Sequence, residues 1–166
     1  MGTASPPSIG PALAALLARP VSANVASRDG AHRPHLTRAI GFRLAPDLGR
    51  LTVFLPASTS ARVLADLRAN GQVAVVFSEP STHRTLQVKG DDATIVPATA
   101  EDHAAMRAYW EAFTVEIGSI GFAPRVAGTI LQAEPDDVVG VRFTPQAAFD
   151  QTPGPRAGEP LAAGAR

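Results

Sequence analysis

The stretch GRLTVFLPASTSARVLADLRANGQVAVVF, residues 49–77, carries the clearest structural pattern in the chain. Residues 51–55 are an apolar run ended by a proline, which is typical of a strand. Three hydroxyl residues then precede a predicted helix over residues 59–69, and an Asn-Gly pair supplies its C-cap. Residues 73–77 are almost entirely apolar, as expected of a strand buried on both faces. The stretch therefore predicts a strand, a helix and a second strand in close succession.

Upstream of this stretch, the sequence predicts a short helix and two strands. Pro20 stops the helix, whose apolar residues recur at helical spacing: Ile9, Leu13, Leu16 and Leu17. Residues 21–26 alternate between apolar and polar as in a strand, and Asp29-Gly30 is a strong turn signal. A second strand follows, with one apolar face formed by Leu36, Ile40 and Phe42.

Downstream, the pattern predicts two more strands, two helices and a last strand. The strands fall near residues 85–89, 93–96 and 139–143, and the helices near residues 100–117 and 125–131. About six or seven strands joined by tight turns predict a mainly β (α+β) fold, an antiparallel barrel with peripheral helices. We expect one domain over residues 1–150 and a mobile Pro/Gly-rich C-terminal tail over residues 151–166.

Composition excludes several classes of protein. The 15 basic and 15 acidic side chains among the 166 residues balance, so no net field attracts nucleic acid or an anionic membrane. There is no cysteine, which excludes disulfides, thiolate catalysis and cysteine-bound metals. Residues 1–10 lack the pattern of a secretion signal, and no apolar run is long enough to span a bilayer, so we predict a cytoplasmic protein.

The usual catalytic and metal-binding motifs are missing. The sequence has no dinucleotide-binding glycine pattern, no phosphate-binding Walker loop and no nucleophile elbow. The histidines do not follow zinc-site spacing: His32, His35, His83 and His103. We therefore predict no metal site and name no catalytic residue.

One group of polar residues suggests a phosphate site. Ser58, Thr59, Ser60 and Arg62 lie at the start of the helix in residues 59–69, where unpaired N–H groups and the helix dipole attract an anion. Other strands carry further candidates for the same ligand: Arg38, Arg84 and Gln87. The alternative is that the hydroxyls only cap the helix and that Arg62 is a solvated surface residue, and the residues alone leave both interpretations open.

Four segments resemble the pyridoxamine 5'-phosphate oxidase-like, FMN-binding split-barrel superfamily. RPHLTRAIGF (residues 33–42) resembles its second strand, in which an arginine follows a proline by four residues. Residues 49–77 resemble its strand, Ser/Thr-rich turn, basic residue and following buried strand. HRTLQVKG (residues 83–90) resembles a strand that starts with arginine and ends in glycine. FTPQAAFDQTPGP (residues 143–155) is similar to a segment of small members of the superfamily.

The resemblance implies a split β-barrel that binds FMN at the interface of a homodimer. It assigns Arg62 and the hydroxyls of Ser58, Thr59 and Ser60 to the phosphate. It places Arg38 and a strand residue near Gln87 at the flavin. It implies a flavin-dependent oxidoreductase that also takes a small-molecule substrate. The sequence departs from the true oxidases at Leu55 and Pro56, where they carry tyrosine or threonine, and in its C-terminal tail, so the substrate stays open.

Two other functions remain compatible with the sequence. One is a non-catalytic split barrel that binds haem, a deazaflavin or another ligand, with His83 and His35 as candidate haem ligands. The other is a structural dimer without a ligand. Bound chromophore would separate all three, because flavin and haem absorb differently and the structural dimer would show neither spectrum.

Overall fold

The computed structural model describes residues 11–161, which form nine strands, four α-helices and a short 3-10 turn. In chain order the elements are α1 (Pro11–Leu17), β1 (Ser22–Arg28), β2 (Pro34–Arg38), β3 (Gly41–Leu44), β4 (Leu51–Pro56), α2 (Ala61–Asn70), β5 (Val73–Ser78), β6 (Thr85–Gly90), β7 (Thr94–Pro97), α3 (Ala100–Ser119), α4 (Pro124–Leu131), the 3-10 turn (Pro135–Asp137), β8 (Val138–Phe143) and β9 (Ala147–Asp150). Ile9, expected in the first helix, lies outside the described residues.

The strands form two antiparallel sheets that together make a split barrel. The five-stranded sheet has the order β2-β1-β5-β6-β9, and the four-stranded sheet has the order β3-β4-β8-β7. This confirms the predicted α+β fold class, although the described residues hold nine strands where about six or seven were expected.

The second predicted strand is in fact two strands that belong to different sheets. The chain changes sheets between Ala39, whose N–H donates to Ala23 O at 2.9 Å, and Ile40, whose N–H donates to Phe54 O at 2.9 Å. Both residues are buried. Burial therefore does not alternate at the crossing, and Leu36 lies exposed instead of sharing one apolar face with Ile40 and Phe42. The even spacing of these three residues suggested one continuous strand, which is why the sequence did not reveal the change of sheets.

The last strand, β9, was not predicted. It has only four residues and follows Pro145, so it lacks the length and the clean alternation of a recognisable strand. It pairs antiparallel with β6, from Leu86 opposite Asp150 to Lys89 opposite Ala147. Backbone hydrogen bonds to β6 hold β9 in place at the edge of the five-stranded sheet.

The main core lies between the sheets and is closed on one side by α2. That helix buries one apolar face, formed by Val63, Leu64 and Leu67. Large, fully buried side chains of the strands belong to the same core: Phe77, Phe143, Leu51 and Leu55. Phe54 belongs to a second, smaller cluster. Burial of this face holds α2 against β1 and β2, which sets the position of the candidate site.

Helix α3 begins after its N-cap residue, Thr99, and is tied to the four-stranded sheet there. Thr99 and Asp102 form a capping box, and Arg43 Nε of β3 donates to Asp102 Oδ1 at 2.8 Å. Burial raises the pKa of the Asp102 carboxyl, but the hydrogen bonds from Thr99 and the charge of Arg43 outweigh it and leave that pKa below its usual value. The ion pair therefore links β3 to the first turn of α3.

Residues 151–161 return along β9. Leu161 N–H donates to Ala148 O at 2.9 Å, and Asp150 N–H donates to Glu159 O at 2.9 Å. These bonds attach the first part of the expected C-terminal tail to the five-stranded sheet, and residues 162–166 lie outside the described residues. The boundary between a domain at 1–150 and a tail at 151–166 stays a prediction.

Candidate functional site

A pocket of about 390 Å³ opens where β4 passes into α2, beside the edge strand β2. Its walls come from two segments of chain: Pro34, His35, Leu36 and Thr37 of β2, and Ser58, Thr59, Ser60, Ala61, Arg62 and Val63 of the loop and first turn of α2. The structure thus brings four of the seven residues predicted to bind a cofactor into one cavity.

The N-terminus of α2 is uncapped where it meets the pocket. Ser60 is the N-cap residue, but no side chain accepts a hydrogen bond from the first turn. The first helical bond of the backbone runs from Leu64 N–H to Ser60 O at 2.9 Å. The N–H groups of Ala61, Arg62 and Val63 therefore have no acceptor within the helix. Ser60 thus occupies the N-cap position, but no hydroxyl of the Ser/Thr run caps the first turn of α2, which counts against the interpretation that these hydroxyls serve only as caps.

The three predicted hydroxyls differ in how strongly they are already engaged. Ser58 Oγ donates to Asp137 Oδ2 at 2.6 Å, and Ser58 N–H donates to Asp137 Oδ1 at 2.9 Å. Ser60 Oγ lies 3.0 Å from Thr37 Oγ1 on β2. Thr59 Oγ1 is 3.5 Å from its nearest acceptor, Pro56 O, too far for a strong bond. The Thr59 hydroxyl is thus the hydrogen-bond donor most available to a ligand, whereas the Ser58 hydroxyl is already bonded to Asp137.

Arg62 is the only arginine among the pocket residues. Its side chain is exposed, and in residues 11–161 no carboxylate forms a salt bridge with it. Its charge therefore lies beside the free N–H groups of the first turn of α2. An anion at the N-terminus of α2 would contact both the Arg62 guanidinium and the free N–H groups, which is the arrangement expected of a phosphate site.

His35 contributes a second polar group to the pocket wall. Its Nδ1 lies 2.7 Å from Asp66 Oδ2 on α2, and the same oxygen accepts a 2.7 Å hydrogen bond from Ser27 Oγ on β1. Burial raises the pKa of the Asp66 carboxyl, but these two hydrogen bonds outweigh it and hold that pKa below its usual value. The hydrogen bond to the Asp66 carboxylate thus fixes the position of the His35 imidazole.

The other three predicted residues lie outside the pocket. Arg38 and Gln87 share the outer face of the five-stranded sheet, in a row that runs from Arg38 through Asn24 and Val76 to Gln87. At the usual strand spacing this separates them by roughly 14 Å. Arg38 Nη1 donates to Ser22 Oγ at 2.8 Å. Arg84 lies at the turn before β6, where its charge helps to lower the pKa values of Glu79 and Asp150.

Sequence reasoning missed the part of the pocket that β2 supplies. His35 was considered only as a candidate metal or haem ligand, and the side chain of Thr37 was not considered. The available signal was strand alternation: His35 and Thr37 are two residues apart, so their side chains share the face that contacts α2. His83, the other haem-ligand candidate, is exposed in the β5–β6 turn and does not line the pocket.

Comparison with known families decides the relationship of the chain. Residues 9–149 match the family model of pyridoxamine 5'-phosphate oxidase, which is most of the sequence. The chain belongs to this family. The family match confirms the resemblance predicted from residues 33–42, 49–77 and 83–90. No curated protein sequence matches closely enough to add a nearer relative.

Solved structures with the same fold carry different ligands in their names. An F420 reductase is 20% identical, with a TM-score of 0.55 over 81% of this chain and 93% of its own. A pyridoxamine 5'-phosphate oxidase-related, FMN-binding protein from Nostoc punctiforme is 15% identical, with a TM-score of 0.51 over 90% and 88%. HutZ, the heme storage protein from Vibrio cholerae, is 16% identical, with a TM-score of 0.50 over 86% and 94%. These similarities support the split-barrel fold of the family.

Across residues 11–161, none of the helices combines the length and the apolar composition needed to cross a bilayer.

Proposed function

We propose that this member of the pyridoxamine 5'-phosphate oxidase family binds FMN and acts as a flavin-dependent oxidoreductase of the cytoplasm. The observation that carries the proposal is the uncapped start of α2, where free N–H groups, Thr59 and an unpaired Arg62 border one pocket. A phosphate monoester supplies the acceptor oxygens that these donors lack. Bound flavin would carry hydride or electrons, and the protein would provide position and electrostatics.

The pocket fits the phosphate end of such a ligand better than its ring. Its walls hold no Phe, Tyr or Trp side chain, so a flavin ring would find no large aromatic stacking partner among the lining residues. The outer face of the five-stranded sheet offers what the ring needs, a half-buried surface with the polar side chains of Arg38, Asn24 and Gln87. We infer that the phosphate binds at α2 and that the ring extends past β2 toward this face.

We also propose that the outer face of the five-stranded sheet is the interface of a homodimer. A short row of apolar side chains crosses this face from the edge strand, where Leu36 is opposite Ala26 and Ala26 is opposite Ala74. Leu36 is 70% exposed in the single chain and also lines the pocket. A partner that covers Leu36 would therefore border the ligand as well. Twofold dimers of this kind are the commonest assembly of soluble chains.

Replacing Leu36 with glutamate should dissociate the dimer, because it places a charge in an apolar contact. We expect the dimer dissociation constant to rise by at least about tenfold. Analytical ultracentrifugation over a concentration series measures this shift. Val115→Glu is the matched control, since Val115 is 76% exposed on α3 and lies outside this sheet. A wild-type chain that is monomeric throughout the series would refute the dimer.

The family fold does not determine the substrate. Fold and cofactor do not fix the reaction, and Leu55 and Pro56 stand where the true oxidases carry tyrosine or threonine. We therefore propose a small-molecule substrate other than pyridoxamine phosphate, and we assign no acid or base.

Titration with FMN tests the proposed function. The wild-type chain should quench flavin fluorescence with one FMN bound per chain, and protein purified with its ligand should be yellow. Parallel titrations with a deazaflavin and with haemin identify the alternatives. If haemin gave a sharp Soret band while FMN left both the fluorescence and the melting temperature unchanged, the flavin proposal would be wrong.

A further inference from the structure

The imidazole of His35 is held at the pocket wall by Asp66 of α2, and Asp66 is held in turn by Ser27 of β1. Ser27 and His35 are direct partners across the β1–β2 pair, so their side chains lie side by side on the face that contacts α2. Asp66 of α2 meets both, accepting at Oδ2 from Ser27 Oγ and from His35 Nδ1, each at 2.7 Å. Three elements thus converge on one ring.

The Asp66 carboxylate decides which ring nitrogen is left for a ligand. Its side chain is only 8% exposed. Because the carboxylate is ionised, it can only accept, so His35 Nδ1 carries the proton that it donates. Among residues 11–161, no side chain or backbone group bonds to Nε2. The ring is 23% exposed and lines the pocket, so Nε2 is the nitrogen available to a ligand.

Charged groups from three parts of the chain lie around the ring. Asp66 compensates the imidazolium from α2, whereas Arg62 of the same helix opposes it. In the β1–β2 turn, Asp29 is paired with Arg33 at 2.9 Å. Asp137 is held at the loop before α2 by Ser58. A phosphate between Arg62 and His35 would remove the repulsion between these two cations.

We propose that His35, through Nε2 in its imidazolium form, donates a hydrogen bond to the phosphate that Arg62 binds, so that phosphate affinity falls as pH rises. Asp66 and Ser27 act as positioning residues. This inference rests on the proposed function, because it names a further contact of the same ligand. In the protonated ring, Nε2 is a charged donor. In the neutral ring with its proton on Nδ1, Nε2 has no hydrogen and presents a lone pair to the phosphate oxygens, so the contact is lost.

The test compares FMN binding by the wild-type chain and by His35→Gln between about pH 5.5 and pH 8, the range in which histidine titrates. The variant should bind about tenfold more weakly at the acidic end, and the ratio of the two dissociation constants should approach one at the alkaline end. The phosphate of FMN also titrates near this range, but it does so equally for both proteins and cancels in the ratio.

Two controls restrict the effect to the phosphate and to His35. Riboflavin, which lacks the phosphate, should bind both proteins equally at every pH. His83→Asn changes an exposed histidine outside the pocket, and asparagine tolerates the positive φ of 59° at that position. It should leave FMN binding unchanged. A wild-type to His35→Gln ratio that does not vary with pH would overturn the proposal.

A second measurement uses the unaltered protein and does not depend on FMN. Proton NMR of the His35 ring follows its protonation with and without inorganic phosphate. The ring should keep its second proton to higher pH when phosphate is present, and an unchanged titration would count against the proposal. If Arg62→Ala weakens FMN binding while the His35→Gln ratio stays flat, only this inference fails. If the wild-type chain does not bind FMN, the proposed function fails and the phosphate titration still decides the role of His35.

Discussion

Replacing Arg62 with alanine is expected to weaken FMN binding by about 10- to 150-fold. Arg62 is the only arginine among the pocket residues, and no carboxylate of the described chain is paired with it, so its guanidinium is available to the phosphate. A charge-assisted hydrogen bond of this kind contributes about 1.5–3 kcal/mol, which corresponds to that range of dissociation constants. Fluorescence quenching of FMN measures the change directly.

Arg68→Ala is the matched control for this variant. Arg68 lies on the same helix, is also exposed, and belongs to its last turn, away from the pocket. It should leave the dissociation constant of FMN unchanged and the melting temperature close to that of the wild type. Equal weakening by both variants would show that Arg62 acts only through the general charge of α2 and would remove it from the site.

The largest loss of stability is expected from Gly71→Ala, which should lower the free energy of unfolding by about 2–4 kcal/mol. Gly71 ends α2 in the left-handed region at φ 68°, where a side chain costs about 1–2 kcal/mol. A Cβ there would also lie 2.6 Å from Asp91 O, a backbone atom that cannot move aside cheaply. Because Gly71 O accepts from Ala93 N at 3.0 Å, the strain would fall on the contact that fixes α2.

Gly118→Ala separates this effect from the general consequence of adding a methyl group. Gly118 lies within α3 with nothing within 4 Å of its added Cβ, so the substitution should be neutral or slightly stabilising. Urea unfolding of the two variants measures the difference. Similar midpoints would mean that the backbone at Gly71 relaxes freely, and the close approach to Asp91 would then have no energetic weight.

The sequence predicted those parts of the fold that local pattern determines. Residues 49–77 are predicted as strand, helix and strand, and they form β4, α2 and β5 with the expected glycine C-cap. The expectation that the second strand is buried on both faces is wrong, because β5 is fully buried on one face and half-buried on the other. The family was also predicted correctly. The crossing between Ala39 and Ile40 was not, because the even spacing of Leu36, Ile40 and Phe42 suggests one continuous strand. Only the backbone pairing with Ala23 and Phe54 reveals the change of sheet.

The candidate site likewise has one part that local sequence predicts and another that only the fold brings together. Ser58, Thr59, Ser60 and Arg62 are neighbours in the chain, so their grouping could be predicted from local sequence. The cluster of Ser27, His35 and Asp66 could not, because Ser27 and Asp66 are 39 residues apart and meet only when α2 packs on β1 and β2. The hydrogen-bond partners of the Ser58 and Ser60 hydroxyls could not be predicted either, because those partners, Asp137 and Thr37, come from other segments.

The preference for FMN over riboflavin, measured in the wild-type chain and in Arg62→Ala, tests the central claim most directly. The two ligands differ only in the phosphate, so the ratio of their dissociation constants isolates what the pocket at α2 contributes. We predict a strong preference for FMN in the wild type that shrinks by about tenfold or more in the variant. If both proteins bound FMN and riboflavin with the same ratio, the start of α2 would not be the phosphate site.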